Sequence, residues 1–189
     1  SIELINYKYH DLKHQIAVLR SEADPGKREA FLDKMEADIK KYESQNKTGN
    51  KVLDTVLTTK SLYCAKHGIT FTCVADGTLL DFMDVMDICS IFGNALDNAI
   101  EACEKSAKPF IRVHIGQHGR MISLVVENAA DQPVRTAGDR LLTTKADNKA
   151  HGYGVKSMMQ MAEQLHGMLT WRQEKQVFTL SVLMQDIGA

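Results

Sequence analysis

Three polar side chains in the middle of the chain, Asn94, Asn98 and Glu101, fall at i, i+4 and i+7, so one helix face carries all three. Asp87 and Ser90 continue that face, while Ile88, Ile91, Phe92, Ala95, Leu96 and Ala99 take the other sides. Two amides and a carboxylate in a row can offer oxygens to Mg2+ carrying nucleotide phosphates, because that hard ion takes oxygen ligands and keeps several waters. A plain solvent-facing stripe has the same spacing, and the helix alone does not choose between them. A second candidate is Thr143-Thr144-Lys145 followed by His151-Gly152-Tyr153-Gly154-Val155-Lys156-Ser157, where a loop becomes a helix. Glycines at such a junction free backbone N–H groups to approach phosphate oxygens at the positive end of the helix, and Lys145 and Lys156 add charge. A flexible loop before an ordinary helix start reads the same way. The third candidate is His10 beside Asp11. A carboxylate can hold an imidazole oriented and nucleophilic, and a reference pKa of about 6.5 leaves histidine largely neutral near pH 7. His14, four residues on and about 40° around the helix, is its competitor.

The elements that must position these groups are legible in the hydrophobic pattern. Ile2, Ile5, Tyr9, Leu12, Ile16 and Leu19 alternate spacings of three and four, the seam of a coiled coil or bundle, which places His10 on the flank beside it. Asp24-Pro25-Gly26 breaks the helix, and Lys27 to Ser44 repeats the pattern with Phe31, Leu32, Met35, Ile39 and Tyr42. One apolar stripe per helix cannot be buried within a two-helix hairpin, so a homodimer completing a four-helix bundle is expected. Polar, turn-rich Glu43 to Asn50 marks a boundary between a hairpin at 1–46 and a second domain at 47–189. Beyond it we expect a helix to Lys66 capped by Thr48 or Asn50, a strand at 69–74 and a long helix at 80–105. Strands at 110–115 and 121–126 should pair about a turn at 116–120. Residues 127–150 read as a long loop with at most a helical turn near Asp139 to Leu142. A helix at 153–165 and strands at 168–173 and 177–184 close an α+β sandwich whose sheet is mostly antiparallel with helices on one face.

Composition sets the outer limits. The 189 residues are 44% hydrophobic and 25% charged, which excludes a disordered tail. No apolar run approaches the roughly 20 residues of a spanning helix, so no membrane contact is expected of this stretch. With 23 basic and 24 acidic residues and a net charge of -1, no global field draws the chain to nucleic acid, and an anionic ligand must be caught locally. Cys64, Cys73, Cys89 and Cys103 lack C-x-x-C spacing and read as reduced, buried thiols. Ser1 in place of an initiator Met, with a helical pattern running from Ile2, suggests an excised piece.

Together these segments resemble a known family. Gly93-Asn94-Ala95-Leu96-Asp97-Asn98-Ala99-Ile100-Glu101-Ala102 is similar to the N-box of the GHKL (Bergerat-type) ATPases, and His151 to Ser157 to their second glycine box, in the same order and separation. Tyr9 to Gln15 resembles the phosphoacceptor box of bacterial sensor histidine kinases, and Thr48 to Lys60 the helix opening the catalytic domain in their peptide-pheromone and citrate-sensor branch. The resemblance implies ATP and Mg2+ as ligands, with Asn98 on the metal and Asn94 supporting metal and phosphates one turn earlier. It puts Gly152 and Gly154 on the phosphates and 127–150 over them as a lid, and the reading of the residues themselves adds Glu101, Thr144 and Lys145 at the nucleotide. Asn128 falls where many relatives have the aspartate of a D-x-G-x-G motif that contacts the adenine amino group. Ala130 and Gln132 stand where those glycines would be, although an amide oxygen can still accept that hydrogen bond.

The implied activity is a protein-histidine kinase. His10 takes the γ-phosphoryl group, Asp11 orients it or acts as base, and the group passes to an aspartate of a response-regulator receiver domain. His14 occupies the place where many relatives carry the amide or hydroxyl of a phosphatase. The implied location is the cytoplasmic part of a bacterial inner-membrane sensor, with no nucleic-acid partner. Two other readings are a histidine phosphotransferase or scaffold with a degenerate nucleotide domain, which the altered adenine motif favours, and a GHKL serine kinase, which the upstream hairpin opposes.

Overall fold

The structure, a computed structural model, describes residues 13, 14, 16–45, 47–134, 136, 137, 140, 141 and 153–185. The chain divides into two compact units, Ser1–Ser44 and Gln45–Ala189. In the first, residues 13, 14 and 16–21 are helical, and after a break at 22–24 comes helix α1 (Pro25–Gln45). The helix starts two residues earlier than the sequence suggested. Asp24 caps it, its Oδ1 accepting from Gly26 N at 2.8 Å, and Pro25 sits at the first helical position, where the missing N–H costs nothing. Ile16, Val18 and Leu32 are exposed, and Phe31 and Met35 half-buried.

In the second unit α2 (Lys51–Lys66) is followed by β1 (Thr70–Ala75), a 3-10 turn (Gly77–Leu80) and α3 (Val85–Cys103). Then come β2 (Phe110–His118), β3 (Met121–Ala129), the short β4 (Thr136–Ala137) and β5 (Arg140–Leu141), α4 (Tyr153–Gln164), β6 (Met168–Glu174) and β7 (Val177–Gln185). The five-stranded sheet runs β1-β2-β3-β7-β6, so β1 and β6 are its edges. Among the described residues only β1 and β2 are parallel, which needs a crossover, and α3 supplies it; the other pairs are antiparallel. Alternate residues of the central strands, such as Ile111, Val113, Ile122, Leu124, Val182 and Met184, are buried. They form one core with Leu53 and Leu57 of α2, Ile88, Phe92 and Leu96 of α3, and Met158 of α4. Among the described residues no helix is long and apolar enough to cross a membrane.

The expected α+β architecture is present, with local differences. Asn50 is the cap of α2, its Oδ1 accepting from Leu53 N at 3.0 Å. Thr48 is sewn in as well: its N–H and hydroxyl both donate to Asp54 Oδ1, at 2.8 and 2.7 Å. Gly77 passes so close that a Cβ there would lie 2.1 Å from Thr48 Oγ1, which only glycine avoids. The long helix begins at Val85 rather than residue 80. Asp84 caps it by accepting from Met86 N at 2.9 Å, and Gly77–Leu80 is a separate 3-10 turn. The β2–β3 turn is tighter than 116–120: His118 pairs with Met121, so Gly119 and Arg120 alone make the loop, with Gly119 at φ 62°. Strand β3 runs on to Ala129, three residues into the expected loop, and Arg140 and Leu141 are strand, paired with Ala137 and Thr136, not a helical turn.

Candidate functional site

The polar stripe of α3 borders a cavity of about 480 Å³, within the range of small-molecule sites. Asn98 and Glu101 line it, and so does Lys105, two residues past the helix end and seven after Asn98. The floor is the inner face of the sheet: Val126 and Asn128 of β3, Phe178 and Leu180 of β7. Val155, in the first turn of α4, forms another wall, and the Ala130-to-Val134 segment forms the rim. Asn98 is exposed, so its amide is open to a ligand. Asn94 lies one turn earlier, half-buried and outside the lining, its Nδ2 donating to Ser90 Oγ at 3.5 Å.

Asn128 was expected just after β3. It is instead inside that strand, paired with Ile111 on one side and Phe178 on the other, and only 3% exposed. Ile122, Leu124 and Val126 share its face, so the strand's two-residue period carries the amide inward. Its Nδ2 donates to Ala129 O at 3.0 Å. Among the described residues nothing donates to Oδ1, which leaves a buried acceptor in the cavity wall. Such an atom calls for a donor, since an unmet buried acceptor costs about 1–3 kcal/mol.

The rim is held from two sides. Asp131 accepts from Ser106 Oγ and Ala107 N, both at 2.9 Å, on the loop after α3. Gln173 of β6 accepts from Val134 N at 2.8 Å and donates to Ala130 O and Gln132 O at 3.1 and 2.9 Å.

A helix-borne amide row, a sheet floor and a cavity between them invite comparison with known proteins. Residues 83–185, more than half of the chain, match the GHKL domain. The chain belongs to the GHKL domain family. The catalytic domain of histidine kinase ThkA superposes on this GHKL protein with a TM-score of 0.56 at 16% identity, over 72% of this chain and 92% of that one. The mycobacterial sensor histidine kinase MprB gives 0.54 at 15%, over 71% and 93%. ThkA in complex with the response regulator protein TrrA gives 0.54 at 15%, over 97% of this chain and 61% of that one. At these identities the likeness is one of fold. No curated protein sequence matches the chain.

Within the GHKL domain, then, Asn98, Glu101 and Asn128 come together at one cavity, and Asn94 stands beside it. Gly154 lies in the first turn of α4, next to Val155 of the wall. Thr144, Lys145, Gly152, His10 and Asp11 lie outside the described residues; His14 is helical and exposed. Among the described residues no group of three or more His, Cys, Asp or Glu could hold a metal ion by itself. The side-chain oxygens that line the cavity belong to Asn98, Glu101, Asn128, Asp131 and Gln132, and those of Asn98 and Glu101 on α3 are suited to Mg2+ held mainly by phosphate oxygens and water.

The sequence reading missed Lys105, Asp131, Gln173 and the Lys60–Asp97 ion pair, which joins α2 to α3 one residue before Asn98. Lys105 was visible as the next step of the Asn98, Glu101 series. Burial pushes the thiol of Cys64 up to about 12 and that of Cys73 to about 11. The same cause raises Cys103. Cys64 and Cys103 are buried as expected, whereas Cys73 is half-buried and Cys89 exposed.

Proposed function

We propose that this GHKL domain binds Mg-ATP and that the chain is the kinase part of a sensor histidine kinase of the peptide-pheromone and citrate-sensor branch. The observation that carries the nucleotide reading is the buried Asn128 oxygen in the cavity wall, an acceptor placed for an exocyclic amine. The aspartate of relatives would accept the same bond, and Asn128 does so with its nitrogen already committed to Ala129. Asn98, with Asn94 behind it, is assigned to the metal and phosphates, and Glu101 to the nucleotide. Thr144, Lys145, Gly152 and Gly154 are assigned to the phosphate side, where the start of α4 supplies backbone N–H groups. Bound with the nucleotide, Mg2+ would neutralise charge on the phosphoryl oxygens.

An imidazole nitrogen of His10, oriented by Asp11, attacks the γ-phosphorus as the bond to the bridging oxygen of ADP breaks, giving phosphohistidine and ADP. Rate enhancement comes from alignment and from charge stabilisation. The phosphoryl group then passes to a response-regulator aspartate; what supports such a partner is that ThkA, a relative in fold, forms a complex with the response regulator protein TrrA. Ile16 of the seam and Leu32 of the second apolar stripe, exposed in the single chain, support a homodimer through the N-terminal helices. Replacement of the motif glycines by Ala130 and Gln132 favours one competing reading, a histidine scaffold whose nucleotide domain has decayed.

Incubation with γ-labelled ATP and Mg2+ decides. Acid-labile, alkali-stable label is expected on the parent chain and on His14→Gln but absent from His10→Gln and Asn98→Ala. A parent chain that neither takes label nor binds Mg-ATP in a titration would leave the scaffold.

A further inference from the structure

Relatives build the loop beside the adenine site from glycines, and this chain has Ala130 and Gln132 there instead. The structure shows what holds that segment. One side chain, Gln173, makes three hydrogen bonds to its backbone: Oε1 accepts from Val134 N, and Nε2 donates to Ala130 O and Gln132 O. Gln173 is on the inner face of β6, continuing the half-buried series Leu169 and Trp171, and is paired with Phe178, itself part of the cavity floor. The neighbouring β6–β7 turn adds a fourth tie. Lys175 and Gln176 both take left-handed backbone, at φ 48° and 62°, and the Gln176 carbonyl accepts from Ala130 N at 2.8 Å. Side chains other than glycine adopt that conformation at a cost, and such cost concentrates where geometry matters.

The Ala130 N–H and C=O are therefore both fixed from the β6–β7 hairpin. The peptide before Ala130 ends in the Ala129 carbonyl, and that carbonyl takes the Nδ2 of Asn128. We propose that Gln173 is a positioning residue for nucleobase recognition: by fixing Ala130 it sets the Ala129 carbonyl, which in turn orients the Asn128 amide with its oxygen toward the base. Gln173 does not touch the nucleotide. A side-chain clamp here does what backbone freedom does in the glycine loop. The proposal rests on the reading of the cavity as an adenine-nucleotide site.

The test is Gln173→Glu, which keeps the shape and the bond from Val134 N but loses both donations and sets a carboxylate against two carbonyls. Gln173→Met serves if the charged variant does not fold. MgADP and Mg-tripolyphosphate are titrated into the whole chain, in the parent and in an Asn128→Ala background. Two lost hydrogen bonds predict about tenfold weaker MgADP binding in the Asn128 background. In Asn128→Ala the loss should be under about twofold, and tripolyphosphate binding should not change in either. Equal losses in both backgrounds, or a parallel loss of tripolyphosphate, would mean general destabilisation and would overturn the proposal. Unchanged MgADP binding by a folded variant would do the same while leaving the nucleotide site standing. A parent chain that binds no MgADP would overturn both.

Discussion

Cys64, Cys73 and Cys103 show how burial sets chemistry at the level of single side chains. Their thiols are raised in the folded protein above the ordinary value of 9.0, to about 12 for Cys64 and about 11 for Cys73, first of all because burial disfavours the thiolate. The folded state therefore holds these protons more tightly than the unfolded chain. That contribution to stability is complete below pH 9 and is lost as pH rises toward 12. Urea midpoints should accordingly fall from pH 9 upward, and Cys64→Ala should flatten the fall. In the folded protein at pH 8 a disulfide reagent should label exposed Cys89 first and Cys64 and Cys103 only on unfolding. Fast labelling of all four would contradict the packing of α2 against α3.

The ion pair between Lys60 and Asp97 is a matter of how two helices meet. Lys60 is 11% exposed at its side chain and Asp97 46%, so the ammonium is the desolvated partner. Removing Asp97 strands a buried cation, whereas Lys60→Met keeps the stem and removes the charge. Asp97→Ala is expected to cost about 1–3 kcal/mol, discounted for the half-exposed carboxylate, and Lys60→Met under about 1 kcal/mol, read from urea midpoints at constant m. The reverse order would place the stabilisation in the lysine's hydrogen bonding. Elements of this kind also divide what the sequence could disclose from what it could not. The α3 stripe was legible because spacing along one helix fixes a face. The inward course of Asn128 and Gln173 follows from strand alternation, yet it was hidden for Asn128 by ending β3 at Val126. The start of α3 moved because Asp84, a local cap, outweighed the apolar run before it. Ion pairs and clamps such as Lys60–Asp97 and Gln173 on Val134 join residues 37 and 39 apart, and no local pattern reports them.

At the scale of the whole molecule the sheet leaves two borders, and they are unlike. Strand β6 ends with Arg172 and Glu174 among its last three residues, charges that discourage another strand from adding. Strand β1, Thr70–Ala75, reads TFTCVA without a single charge, has among the described residues only β2 as a strand neighbour, and exposes 68% of Val74. A border of this kind is a template for intermolecular pairing, most of all when heating loosens the chain. Thr72→Lys is expected to raise the concentration at which light scattering first appears on warming, with MgADP affinity unchanged; an unaltered onset would locate the sticking elsewhere. The parallel pairing that lets α3 cross over and carry Asn98 to the cavity thus leaves, at the far border, an uncharged strand open to a second molecule.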